Sequence, residues 1–311
     1  MAGIMMKQKL LYILVPDANI SPFDVTLAAD AGFTQILPFT GVKPDNVLSM
    51  VQDAIFARPP KRFNDTGIFI GGRDVHLATD MFQNAKNAMV GPFEVGVFAD
   101  PNGAYTTSAS IVALVEQTLK ERTGKGLQGR TVSVFGTGPV GLSTAVLTTE
   151  QGAMTKLCQL TADDDKRVAA RFCQRYEVDV EWVSAQTHLE KLRALKGAEV
   201  VICAAKAGIR ILGMEELDFA DKMLVAADTN AVPPTGIEGI EANDLNKQVE
   251  YARSTAYGIG SLAIGALKYK TQFGLFVKMQ ESPQAALLDF HDAYDFAILE
   301  LYKANSKKHA A

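Results

Sequence analysis

The chain has 311 residues, enough for two domains of ordinary size, each with its own core. Its 48% hydrophobic and 21% charged residues are those of a folded globular protein, not a disordered chain. A formal net charge of -4 offers no basic face, which argues against nucleic acid or an acidic membrane surface as a main partner.

The first apolar run, Leu10 to Val15, reads as a short strand ended by Pro16. Ser21-Pro22-Phe23-Asp24 then opens a helix: Ser21 is a plausible N-cap, Pro22 suits the first helical position, and Asp24 complements the dipole in the first turn. A strand near Gln35-Ile36-Leu37-Pro38 is followed by a helix from about Lys43 to Ala57, closed before Pro59-Pro60. Gly67 to Gly72 reads as strand and turn, Asp74 to Met89 as helix, Phe93 to Phe98 as strand, and Thr106 to Thr118 as helix. Apolar strands alternating with helices predict a small α/β domain with a parallel sheet.

A polar, glycine-rich linker at 124–129 separates this part from a second. Beyond it the units alternate again: strand 131–135, helix 138–151, strand 155–160, helix 163–176, strand 178–183, helix 188–195, and strands 199–204 and 223–227. This is the pattern of a doubly wound Rossmann domain. From Tyr257 to Gly265 the chain is small and glycine-rich, Ala266 to Met279 reads as a helix, and an amphipathic helix from Leu287 to Ala304 precedes a frayed polar tail at 303–311. The fold class expected is therefore α/β: a small N-terminal α/β domain, a Rossmann domain and C-terminal helices.

The start of the second domain carries the chemistry. Thr131-Val132-Ser133-Val134-Phe135 passes directly into Gly136-Thr137-Gly138-Pro139-Val140-Gly141 and then a small-residue helix, so G-x-G-x-x-G stands between strand and helix. That context makes the glycine pattern a dinucleotide-binding fingerprint. Gly136 permits the tight turn, Gly138 lets backbone approach a pyrophosphate, and Gly141 lets the helix pack closely. Phosphates would sit at the helix N-terminus, where unpaired N–H groups and the dipole favour negative charge.

The place about 20 residues on, where an acidic residue selects NAD or an Arg admits the 2′-phosphate of NADP, holds Cys158-Gln159-Leu160-Thr161. Neither discriminator is present. Gln159 or Thr161 can hydrogen-bond either form, so the cofactor expected is NAD or NADP. Asp163-Asp164-Asp165 suits a solvated helix start better than a ribose ligand. Ala204-Ala205 and Asp228-Thr229-Asn230 follow apolar strands and are further candidates, Ala204, Ala205, Asp228 and Asn230 in particular, for the ribose and nicotinamide, although a turn with Asp and Asn needs no ligand to explain it. Lys206 reads as solvated.

Cys158, Cys173 and Cys203 make no C-x-x-C pair and read as buried thiols of a reducing compartment, and the four histidines are scattered, so no metal is expected. With no secretory leader pattern and no apolar run of spanning length, the expected location is the cytoplasm. Two polar groups remain. Asp100-Pro101-Asn102-Gly103-Ala104-Tyr105-Thr106-Thr107 follows a strand and precedes a helix, a pattern that an Asx turn with a Thr cap also explains. Gly265-Ala266-Leu267-Lys268-Tyr269-Lys270 sets two lysines after a glycine-rich loop.

Taken together, these residues resemble the NAD(P)-dependent methylene-tetrahydromethanopterin dehydrogenases of methylotrophic bacteria, of the type labelled B. The resemblance spans nearly the whole chain. It rests on Ser21-Pro22-Phe23-Asp24-Val25, Thr66 to Gly72, Phe98-Ala99-Asp100-Pro101, Asn230-Ala231-Val232-Pro233-Pro234-Thr235-Gly236-Ile237 and Gly265-Ala266-Leu267-Lys268-Tyr269. It implies a pterin-binding α/β domain at 1–125, an NAD(P)-binding Rossmann domain at 126–280, and a C-terminal helix and tail at 281–311 that pack back on the first.

The resemblance further implies an active site in the cleft between domains, hydride transfer from methylene-tetrahydromethanopterin to NAD(P)+ in formaldehyde oxidation, and a homo-oligomer. The product is a delocalised N–C–N cation, so no group has to deprotonate the substrate. Lys268 and Asp100 become candidate catalytic residues, and Ser21, Pro22, Phe23, Asp24, Asn102, Thr106 and Lys268 candidate pterin ligands. NADP-specific relatives carry Arg and Lys where this chain has Leu160 and Thr161, which favours NAD or dual use. The competing readings are a methylene-tetrahydrofolate dehydrogenase and an NAD(P)-binding redox sensor without turnover.

Overall fold

The computed structural model describes residues 8–163 and 165–309. In chain order the elements are β1 (Leu10–Leu14), α1 (Pro22–Asp30), β2 (Gln35–Phe39), α2 (Pro44–Phe56), β3 (Thr66–Ile70), α3 (Val75–Asn87), β4 (Gly96–Ala99) and α4 (Ala104–Thr123). Then come β5 (Thr131–Phe135), α5 (Pro139–Glu150), β6 (Met154–Gln159), α6 (Lys166–Arg175), β7 (Glu181–Ser184), α7 (His188–Leu195), β8 (Val200–Cys203), α8 (Met214–Leu217) and β9 (Val225–Asp228). The last are β10 (Leu245–Glu250), β11 (Thr255–Ile259), α9 (Ser261–Glu281), β12 (Leu287–Leu288) and α10 (Phe290–His309).

The chain forms two compact units. One comprises the residues up to Thr106 together with Tyr269–Phe296; the other comprises Thr107–Lys268 and the residues from Ala297 onward. These bounds differ from breaks at 125 and 280, because the second half of α9 and β12 complete the sheet layers of the N-terminal unit.

The N-terminal unit is a five-stranded parallel sheet in the order β2-β1-β3-β4-β12. Strands buried on both faces read as near-continuous apolar runs, and β3 and β4 are buried at every position, Thr66 at the start of β3 included. Phe276 of α9 lies within 5.2 Å of the Phe69 ring and 5.3 Å of the Phe98 ring, so residues about 180 to 210 apart in sequence share one core. Gly67 and Gly96 make room for this helix: a Cβ on Gly67 would stand 2.8 Å from Met279 Cε.

The second unit carries a seven-stranded sheet in the order β10-β11-β9-β8-β5-β6-β7. Every pair is parallel except β10 with β11. Read from β7 to β11 this is the 3-2-1-4-5-6 order of dinucleotide-binding domains, closed at one edge by an antiparallel strand. Phe135, Cys158, Val201, Leu217, Ala226 and Ile240 belong to one buried cluster beneath it.

Several stretches differ from the sequence expectation, and β10 and α8 have no counterpart in it. The segment around Tyr257, expected to be irregular, is β11, and α9 starts at Ser261, five residues before Ala266. Its glycines mark close approaches: a Cβ on Gly258 would meet Ile240 Cδ1 at 2.9 Å, and one on Gly260 would run into the Glu241 carbonyl. The helix expected from Leu287 is split, since Leu287 and Leu288 pair with Val97 and Phe98 before α10 begins at Phe290. In place of a frayed tail from 303, α10 continues to His309, with Lys303 on Glu300 at 2.8 Å and Ser306 Oγ donating to the Tyr302 carbonyl; residues 310 and 311 lie outside the described chain. The helix expected at Thr106–Thr118 runs a full 20 residues, with Lys120 and Arg122 in its last turn, where cations favour the dipole.

Candidate functional site

The glycine loop joins β5 to α5 in the second unit. Gly136 has φ +119, a conformation side-chain-bearing residues rarely adopt, and its Cβ would stand 2.6 Å from the carbonyl oxygen of Ala204 at the end of β8. Gly141 sits so near the Gly136 carbonyl that a Cβ would collide with it. Around Gly138, by contrast, a Cβ would meet nothing within 4 Å. Two glycines therefore fold the loop, and the third keeps its outer face open.

Gly138 is the N-cap of α5 and Pro139 its first residue, with no side chain capping the helix start. The first-turn amides, Val140 and Gly141 among them, have no intrahelical acceptor, while Leu142 N–H bonds back to Gly138 O at 2.9 Å. The open glycine face and these uncapped amides, at the positive end of the helix dipole, fit a diphosphate. Thr137 lies in this turn, half-buried.

At the end of β6, Gln159 Nε2 donates to the Thr161 carbonyl at 2.9 Å and so shapes the loop 159–161. Thr161 is exposed. Asp165 N-caps α6, accepting from Arg167 N–H at 2.8 Å, and this backbone hydrogen bond holds its carboxyl below the ordinary value. Asp163 is exposed and Asp164 lies outside the described residues.

Ala204 and Ala205 follow β8, half-buried against Gly136. Asp228, fully buried at the end of β9, accepts from Asn230 N–H and Ile237 N–H, each at 3.0 Å. Burial pushes its carboxyl above the ordinary value, and backbone donors from Asn230, Ile237 and Gly236 pull the other way. Asn230 Oδ1 accepts from Gly208 at 3.0 Å and from Val232 at 2.9 Å, while Nδ2 donates to Pro234 O at 2.7 Å.

Both side chains thus brace the loops 204–208 and 230–237. The sequence makes both residues candidate cofactor ligands and equally suits a turn held by its own side chains; the hydrogen bonds described here are those of the turn. Arg210, which the sequence did not single out, adds to the brace by donating Nε to Thr235 O at 2.6 Å. Beside them the Cys203 thiol is pushed up to about 12 by burial and by the Asp228 charge.

In the N-terminal unit Ser21 N-caps α1, its Oγ accepting from Asp24 N–H at 3.4 Å, and Pro22 follows at the first helical position. Asp24 is buried and accepts from Gln272 Nε2 at 2.7 Å. Phe23 is 44% exposed, its ring edge-on to Tyr269 at 6.5 Å. Ser21, Pro22, Asp24 and Asn102 line one cleft of about 240 Å³, which Asp17 and Arg73 share. Thr106 and Phe23 stand outside this lining.

Asp100 has a structural role. It is fully buried, and its carboxylate accepts from Tyr105 N–H at 2.9 Å, Thr106 N–H at 3.1 Å and Thr106 Oγ1 at 2.6 Å. That is a cap on the start of α4, with Asn102 in the left-handed region at φ 52 in the turn between. Lys268 is half-buried on α9. Asp17 and Arg73 escaped sequence reasoning because only the strand order reveals that their loops adjoin.

Among the described residues no helix is long and apolar enough to cross a membrane. A family model described as methylene-tetrahydromethanopterin dehydrogenase, N-terminal, matches residues 22–102. An NAD(P)-dependent methylenetetrahydromethanopterin dehydrogenase of Methylorubrum extorquens is 42% identical over 295 residues, covering 94% of this chain and 99% of that protein. The bifunctional protein MdtA of the same organism is 35% identical over 292 residues, with the same coverage. Among solved structures, the NAD-dependent malic enzyme of Thermotoga maritima superposes with a TM-score of 0.55 at 13% identity, over 94% of this chain and 84% of that one. Shikimate 5-dehydrogenase of Listeria monocytogenes, in complex with shikimate and NAD, gives 0.51 at 11%, over 94% and 96%. These two likenesses are of fold.

Proposed function

The chain belongs to the family of NAD(P)-dependent methylenetetrahydromethanopterin dehydrogenases, and from that premise we propose that it oxidises methylene-tetrahydromethanopterin to methenyl-tetrahydromethanopterin in one-carbon (formaldehyde) oxidation. The observation that carries this reading is the 42% identity over 94% of the chain, which reaches both units. The glycine loop supports it, since Gly138 and the first-turn amides of α5 fit the diphosphate of NAD(P).

Bound NAD(P)+ supplies the hydride acceptor. The protein's part is to bind and to orient: the braced loops 204–208 and 230–237 border the carboxyl ends of β8 and β9, where a cofactor lies in this strand order. Because the oxidised product is a delocalised N–C–N cation, the chain needs no general base. Positioning supplies most of the rate, and effective molarities of well-oriented reactants reach about 10⁵ M or more. Lys268 is the residue we assign to contact with the pterin; Asp100 we assign to holding the loop that carries Asn102 and Thr106.

At the adenosine ribose neither a carboxylate nor an Arg is present in 159–161, so we assign NAD or NADP as the cofactor. We place the enzyme in the cytoplasm as a homo-oligomer; three buried free thiols support a reducing compartment, and the oligomer is what the family resemblance implies. The test is direct. Purified protein given methylene-tetrahydromethanopterin should reduce NAD+ or NADP+, followed by absorbance of the reduced nicotinamide. Reduction with methylene-tetrahydrofolate alone would reassign the substrate, and nucleotide binding without turnover on either pterin would make the protein a sensor.

A further inference from the structure

The sheet edges of this chain are blunted against pairing with another copy. β2 holds Pro38, which has no N–H to donate, and β10 shifts register between Leu245 and Lys247, with Asn246 at φ 58. The remaining edges are short, four residues in β7 and two in β12. Association of the chain with itself therefore has to use a side-chain surface.

One face of α10 is such a surface. Asp295, Leu299, Tyr302, Lys303 and Ser306 are exposed at helical spacing, while Ala293 and Ala297 on the opposite side are buried. Leu299 is 55% and Tyr302 73% exposed, a large apolar area for a face that meets water. Glu121 ties a neighbouring strand to the helix. It accepts from Asn305 Nδ2 at 3.5 Å and from Asn246 Nδ2 at 3.2 Å, which brings the exposed Leu245 of β10 beside α10.

The charges on this face stand in opposition about Leu299. Asp295 lies four residues before it and Lys303 four residues after, about 6 Å along the axis each way. A second α10 laid antiparallel across Leu299 sets each Asp295 against the partner's Lys303 and opposes the two helix dipoles. Parallel packing would set like charges together. Lys303 also reaches Glu300 at 2.8 Å, an exposed contact three residues back that is worth little by itself. Leu37 and Phe39 of β2 are exposed too, but that strand has no charged residue to fix an orientation.

We propose that this face of α10 joins two copies of the chain about a twofold axis at Leu299. Leu299 and Tyr302 pack across the axis, Leu245 flanks them, and Asp295 pairs with the partner's Lys303 at both ends. The assignment rests on the homo-oligomer reading above and gives it a contact surface; it does not depend on the substrate.

Sedimentation velocity over a concentration series measures self-association of the full-length wild type, of Leu299→Glu, Asp295→Lys and Lys303→Glu, and of an equimolar mixture of the last two. Circular dichroism controls for folding, which should be that of wild type because the substituted side chains are exposed. Leu299→Glu sets like charges face to face at the axis, and Asp295→Lys or Lys303→Glu makes both flanking pairs repulsive. Each should weaken the contact about tenfold or more. The mixture should regain association close to wild type, because in the mixed dimer a cation again faces a carboxylate at both ends. Wild-type association in all three variants, or a mixture no tighter than its components, overturns the surface and leaves the homo-oligomer standing. A wild-type protein that stays monomeric throughout the series overturns both, while turnover of the pterin in the same samples reports on the dehydrogenase reading separately.

Discussion

The side-chain oxygen of Asn230 accepts the backbone N–H of Gly208 at 3.0 Å, joining the loops that follow two neighbouring parallel strands, β8 and β9. The same side chain holds Val232 and Pro234, so one amide group fixes both loop tips. Asn230→Ala should lose about 1 kcal/mol of stability or more, because it removes the partner of three part-buried backbone groups. It should also raise KM for NAD(P)+ more than it changes KM for the pterin. Asn230→Asp keeps both acceptor bonds and sets an oxygen against Pro234 O, so it should lie between. Thermal melts with paired KM values check this.

The glycine loop predicts opposite outcomes for neighbouring substitutions. Gly138→Val adds its side chain to open space, so the protein should melt near wild type and lose NAD(P) binding. Gly141→Ala must displace the Gly136 carbonyl, and Gly136→Ala must both hold φ +119 and avoid Ala204. Each should cost about 2 kcal/mol or more in stability. Normal cofactor affinity in Gly138→Val would mean that the diphosphate lies elsewhere.

Asp100 should behave as a cap. Its carboxylate receives two backbone N–H groups and one hydroxyl in a fully buried site, so Asp100→Ala should destabilise by about 2 kcal/mol or more. At a temperature where the variant is folded, its kcat should stay close to wild type. A collapse of kcat with unchanged melting temperature would return Asp100 to the chemistry.

Asp228 gives a pH signature. Burial raises its folded carboxyl above the unfolded value of about 3.9, so the folded protein keeps this proton to higher pH than the unfolded chain does. The associated stability is fully present below the unfolded value and is lost as pH rises through the folded one. Against Asp228→Asn, which does not titrate, the wild-type protein should therefore lose relative stability on going from pH 4 towards neutrality. Urea unfolding of both proteins across that range measures it; a difference that stays flat, or grows in favour of wild type, contradicts the burial argument.

The α/β class and the β5–loop–α5 fingerprint were legible because periodicity and glycine spacing are local properties. The stretch at 257–265 was misread because its glycines are demanded by partners far along the chain, Ile240 at Gly258 and Glu241 at Gly260, and from sequence alone such glycines resemble loop. Leu287 and Leu288 fit a helical pattern until β4 offers an edge to pair with. At the site, the close approaches at Gly136 and Gly141 and the open face at Gly138 follow the local spacing of the three glycines. The tasks of Asp228 and Asn230 do not follow from spacing, since whether a carboxylate or amide faces a ligand or its own backbone depends on the loop's path. Asp17 and Arg73 left no signal, because each is an ordinary polar residue until the strand order sets their loops side by side.

The N-terminal sheet takes its fifth strand from Leu287–Leu288, and its aromatic cluster takes Phe276. A ribosome emitting this chain therefore releases β1 to β4 long before the residues that finish their packing. Throughout synthesis of the whole intervening Rossmann segment, the β4 edge and the faces of Phe69 and Phe98 wait uncovered, a condition that invites chaperone capture or self-association. Release of truncated products ending before residue 269 should yield a half-built lobe, so gene fragments meant to express the N-terminal unit alone must carry 269–296 appended to residue 106.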